Sequence, residues 1–104
     1  MGATRGGPVK PSAALDRNRE AVRTIVLAHR ATNPRVFGSA ARGEDSMTSD
    51  LDLLIDPTPE TTLLDIGAIR HELLDLLGVS VDVVTPNALP TKFRATVIAE
   101  AVPV

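Results

Sequence analysis

The chain has 104 residues, enough for one compact domain and too few for two ordinary ones, so any second substrate-binding lobe is expected to come from elsewhere. Its 11 Lys and Arg against 13 Asp and Glu leave a formal net charge of -2 with no long run of either sign, which argues against a long nucleic-acid partner. The absence of cysteine excludes disulfides and thiolate metal sites. No apolar stretch nears the roughly 20 residues that cross a bilayer, and the opening MGATRGGPVK lacks the apolar segment of a secretory signal, so no membrane association and a cytoplasmic location are expected.

Residues 1–11, rich in Gly, Pro and basic side chains, carry no apolar periodicity and are expected to form a mobile tail ahead of a single domain over residues 12–104. Ser12 is a candidate helix cap. From there to about Ala31, Leu15, Val22, Ile25 and Val26 recur at helical spacing, and Asn33 with Pro34 is read as the stop. Arg35, Val36 and Phe37 form a short strand that runs into Gly38 and Ser39 and then a helix start. A polar loop from Gly43 to Ser49 leads to a second strand, Leu51 to Ile55, whose first half alternates with Asp50 and Asp52 and which Asp56 and Pro57 close.

Thr61 or Thr62 caps the next helix, with Asp65 placed for a capping box. Its buried stripe is read as Leu63, Ile66, Ile69, Leu73 and Leu76 or Leu77, with Gly78 as the stop. Val79 to Val84 is β-branched and alternates at period two, a third strand carrying Asp82. A last helix starts near Pro90 and is expected to bury Phe93, Val97 and Ile98.

Three carboxylates in strands are the unusual feature. Side chains two apart on a strand share a face, so Asp50 and Asp52 project together, and two bare negative charges at that spacing repel. A single strand Asp is more often an edge or turn residue, but two in one strand and a third on another favour a site. A hard cation such as Mg²⁺, which takes oxygen ligands, resolves the repulsion when phosphate completes its shell. If the strands are neighbours, Asp82 joins the pair, and three carboxylates around a triphosphate suit two-metal phosphoryl or nucleotidyl transfer. In the Gly38–Ser39–Ala40–Ala41–Arg42–Gly43 segment, Gly38 lets backbone approach a phosphate, Ser39 offers a hydroxyl at a helix start, and Arg42 lies one turn on, within reach of phosphate or an acid. His29 and His71 are read as surface or helix-end residues, and Glu44, Asp45 and Asp56 as loop and turn acids. A Walker-type glycine loop followed by Lys is missing.

That six-residue segment, a short loop and then Ser49–Asp50–Leu51–Asp52–Leu53–Leu54 resemble the signature of the DNA polymerase β-like nucleotidyltransferase superfamily. The small size, the strand Val81 to Thr85 and the ending Ala99 to Pro103 resemble its stand-alone minimal nucleotidyltransferases. The resemblance implies an α/β (α+β) fold with a mixed β-sheet flanked by helices. It also implies Mg²⁺, as two ions, with ATP as substrate, Gly38 and Ser39 at the phosphates, and Asp50, Asp52 and Asp82 as catalytic metal ligands. Minimal members commonly accompany a HEPN-domain toxin, so the resemblance further implies an antitoxin that moves AMP to a tyrosine of that partner. Two alternatives stay open: an antitoxin that acts by binding alone, and a small-molecule nucleotidyltransferase of the aminoglycoside-modifying kind.

Overall fold

The computed structural model describes residues 9–104. Most of the expected tail lies outside the described residues, but Pro11, assigned to it, is buried and opens helix α1 (Pro11–Arg17). Ser12 is therefore inside the helix rather than its cap. The capping acceptor comes from far along the chain: both oxygens of Asp45 are engaged, by the Ser12 amide at 2.8 Å and the Ser12 hydroxyl at 3.0 Å.

The single helix expected up to Ala31 is two helices, because Asn18 leaves helical geometry (φ -135, ψ 21) and its side chain donates back to the Ala14 carbonyl. Asparagine competes with the helix for backbone hydrogen bonds in this way. Helix α2 (Arg19–Ala28) follows, and Leu15, Val22 and Val26 still line up on the buried side. The chain reverses at Arg30, which has φ 65, and strand β1 (Ala31–Phe37) begins well before Arg35. Asn33 and Pro34, expected to stop a helix, instead form an irregularity inside that strand, with Asn33 at φ 53 and a register shift between Thr32 and Arg35. A bulge tolerates a proline that an unbroken ladder would reject.

A four-residue helix, α3 (Ser39–Arg42), leads through a loop to β2 (Leu51–Pro57), then α4 (Leu63–Leu77) and β3 (Val81–Val84). A single 3₁₀ turn, Pro86–Ala88, precedes α5 (Thr91–Glu100) and the short β4 (Val102–Pro103). The sheet order is β3-β2-β1-β4; β2 and β3 are parallel, with α4 as the crossover between them, and the other pairs are antiparallel. This is the mixed sheet flanked by helices that the resemblance implied.

Helix α4 has the expected capping box, with the Thr62 hydroxyl accepting from the Asp65 amide and the Asp65 carboxylate accepting from the Thr62 amide, and Gly78 closes it in the left-handed conformation. Its buried stripe is Ile69, Leu73 and Leu77, with Ile66 partly buried, while Leu63, expected in the stripe, is 85% exposed. These residues meet Leu15, Val22 and Val26 over Val36, Leu51, Leu53, Ile55, Val81 and Val83, so α1, α2 and α4 cover one face of the sheet. Helix α5 departs from expectation: Phe93 and Ile98 are exposed, the Lys92 ammonium stands 5.7 Å from the Phe93 ring centre, and only Val97 of the three is partly buried. It is held instead by Arg94, which donates to the Pro86 and Leu89 carbonyls. Among the described residues, no helix is long and apolar enough to cross a membrane.

Candidate active site

Because alternate residues of β2 and β3 feed the core, the residues between them face the other side of the sheet. Leu51, Leu53, Val81 and Val83 are buried beneath the helices, which leaves Asp50, Asp52 and Asp82 on the opposite face. The condition on which the triad rested is met. Strands β2 and β3 are direct neighbours, and Asp52 and Asp82 are register partners across the parallel pair. Asp50 lies just before β2, and the Leu51 amide donates to the Ser80 carbonyl, so the first strand residues are already tied to β3.

On the other side of β2, Phe37 pairs with Asp52 and the chain turns at Gly38, with φ 75 and ψ -153. A Cβ at Gly38 would collide with Asp52 Oδ2, so only glycine brings this turn against that carboxylate. The Ala41 and Arg42 amides both close onto the Gly38 carbonyl, which starts α3 and leaves the Ser39 and Ala40 amides without a helical partner.

The acids crowd one another. Burial, then the charges of Asp82 and Asp50, push the Asp52 carboxyl above its ordinary value, and the charge of Arg42 only partly offsets them. Among the described residues, no three His, Asp or Glu side chains close into a ready-made metal cage. The acids form an open row at the sheet surface.

Arg42 sits at the end of α3 but is occupied by carboxylates, Glu44 at 3.0 Å and Glu100 at 3.6 Å, and the hydrogen bond it donates to Glu44 is the main reason its guanidinium holds its proton more tightly. Of the residues set aside in the sequence, His29 bonds Glu72, His71 stands 3.6 Å from Asp75, and Asp56 pairs with Arg35. Asp45 is different. It lies in the loop, as expected, but is only 6% exposed and ties the loop that leads into Asp50 to α1. Glu100, too, comes to the site without any signal in the sequence, since α5 and α3 are remote in the chain.

A family profile described as a nucleotidyltransferase domain matches residues 15–104. A protein of Methanocaldococcus jannaschii, named as a candidate protein adenylyltransferase, is 38% identical over 80 residues, which is 77% of this chain and 86% of that one. A solved structure described as a candidate minimal nucleotidyltransferase superposes with a TM-score of 0.84 at 42% identity, covering 94% of this chain and all (100%) of the other. A toxin-antitoxin structure with AMP-PNP shares the fold at 17% identity, with a TM-score of 0.70 over 83% of this chain and 71% of that one. The chain belongs to the nucleotidyltransferase domain family, as a minimal nucleotidyltransferase.

Proposed function

We propose that the enzyme moves the AMP of ATP to a tyrosine hydroxyl of a partner HEPN-domain toxin, and so acts as its antitoxin. The observation that carries the transfer step is the register of Asp52 with Asp82, with Asp50 beside them and the Gly38 turn against Asp52. The choice of AMP and of a protein acceptor follows the name of the M. jannaschii relative, and the toxin partner follows the toxin-antitoxin structure of like fold.

Three acids, with the Asp52 carboxyl pushed up by burial and then by the charges of Asp82 and Asp50, fit a divalent cation, since adding positive charge offsets both effects. Asp50, Asp52 and Asp82 would hold it. When bound, Mg²⁺ supplies Lewis-acid stabilisation of the phosphates and of the acceptor oxygen. The chain does the positioning. Gly38 admits the triphosphate close to the backbone, while the Ser39 hydroxyl and the free amides of the α3 start donate to its distal oxygens. Arg42, half exposed and held only by surface carboxylates, is free to exchange Glu44 or Glu100 for phosphate at little cost. The acceptor oxygen forms a bond to the α-phosphorus as the α–β bridging bond breaks; pyrophosphate leaves and the hydroxyl proton passes to solvent or a carboxylate.

The test is incubation of purified chain, ATP, Mg²⁺ and the HEPN-domain partner, followed by mass spectrometry. The expected result is one AMP on a partner tyrosine with wild type and none with Asp82→Asn. This chain contains no tyrosine, so a tyrosine acceptor has to arrive in trans. Labelling of a Ser, Thr or Lys of this chain without any partner would overturn the trans-acting reading.

A further inference from the structure

In-line displacement sets the attacking oxygen and the departing pyrophosphate on opposite sides of the α-phosphorus. Gly38 and Ser39 flank the acid row from the β1 side, where the pyrophosphate is held if the reading above is right, so the acceptor enters from the β3 side. On that side the structure has a hollow of about 300 Å³, lined by Met47, Thr48, Ser49, Asp50, Gly78 and Ser80 among others. None of the α3 turn takes part in it.

We propose that this hollow is the acceptor dock and that its occupant is a short polypeptide segment carrying the hydroxyl that is modified. Asp50 is both a wall of the hollow and a member of the acid row, so a side chain seated there reaches the reacting phosphate without crossing the triphosphate. Among the described residues Asp50 is also the only charged one in the lining, which favours a segment with a basic residue near the acceptor. Neither Phe37 nor Phe93 lines the hollow, so it offers no ring on which a base would stack. What it offers is suited to peptide. The hydroxyls of Thr48, Ser49 and Ser80 can pair with backbone amides, and open space surrounds the Cβ position at Gly78. Met47, 59% exposed at the rim, is an adaptable apolar contact. The volume is at the lower end of the roughly 300–1,000 Å³ typical of small-molecule pockets, which matches one side chain with its flanking backbone better than a whole aminoglycoside.

The dock rests on the transfer reading, and two measurements separate their failures. Ser80→Trp and Thr48→Trp fill the hollow from β3 and from the loop, and both should reduce labelling of the HEPN-domain partner roughly tenfold or more with a raised KM for it. Both should keep the wild-type rise in melting temperature with Mg²⁺ and ATP, and Arg70→Trp, on the exposed side of α4, should label normally. Wild-type labelling by both hollow variants would overturn the dock, and loss of the Mg²⁺–ATP effect in both would make the hollow a nucleotide site instead. If wild type labels no partner, the transfer reading fails on its own. The dock is then judged by amide NMR of the chain loaded with Mg²⁺ and AMP-PNP and titrated with a Lys- and Tyr-containing peptide. Shifts at Thr48, Ser49, Gly78 and Ser80 support it, whereas no shifts, or shifts only elsewhere, overturn it.

Discussion

The residue on which the site turns is Gly38. Its left-handed φ of 75 and the collision that any Cβ would make with Asp52 Oδ2 act together, so a substitution there strains the backbone and displaces a carboxylate at once. Gly38→Ala should lower stability by about 1–3 kcal/mol, as strain of this kind usually does, yet reduce nucleotidyl transfer by far more than the unfolded fraction explains. Denaturant titration and single-turnover labelling of the same preparation measure the two effects. Equal transfer rates for folded Gly38→Ala and wild type would mean that the close approach has no catalytic use. Much of the residue scale was legible beforehand. Carboxylates two apart in a strand share a face whatever the surrounding fold, and Gly followed by Ser at a helix start carries its meaning locally. The partners of Arg42 were not legible, since Glu100 is brought to it only by the path of α5.

At the scale of elements, local signals held and distant ones did not. Thr62 and Asp65 are three residues apart and form the capping box that their spacing implies. Asp45 and Ser12 are separated by 33 positions, so nothing in either neighbourhood reveals that one caps the other's helix. The same is true of α5, whose apolar residues suggested burial although Phe93 is left more than half exposed. The Asp45 contact has a pH signature. Burial works to raise its pKa, but the hydrogen bonds from the Ser12 amide and hydroxyl outweigh burial and hold the carboxyl below its ordinary 3.8. The folded chain thus binds that proton less readily than the unfolded chain. The stability gained is fully present above 3.8 and is lost as pH falls through the lower folded value. Asp45→Asn should therefore be less stable than wild type at neutral pH by about 1–2 kcal/mol, with the gap closing in strong acid. Urea titrations at both pH values check this, and a gap that stays constant would mean that ionised Asp45 is not what secures the loop.

For the whole molecule, the sheet order decides the chemistry. Placing β2 between β1 and β3 puts the Gly38 turn on one side of Asp52 and Asp82 on the other, an arrangement that requires the α4 crossover and that no single segment of sequence encodes. Helices α1, α2 and α4 cover one face, and on the other Asp50 and Asp82 are exposed and Asp52 partly so, where a second molecule can reach them. The alternating pattern of Val79 to Val84 indicated which side Asp82 would take, but its pairing with Asp52 depended on topology. The proposed chemistry requires this row to bind metal and nucleotide. A ligand present at about 100 times its Kd adds about 2.7 kcal/mol to the folded state, enough to move the melting temperature of so small a domain by several degrees. The most direct measurement is thermal unfolding of wild type and Asp52→Asn, each with and without Mg²⁺ and ATP. Wild type should melt several degrees higher with both ligands than with either alone. Asp52→Asn should melt no lower than wild type without ligands, because one crowded charge is gone, and should lose most of the ligand-induced rise. An equal rise in the two proteins, or none in wild type at millimolar Mg²⁺ and ATP, would contradict the account.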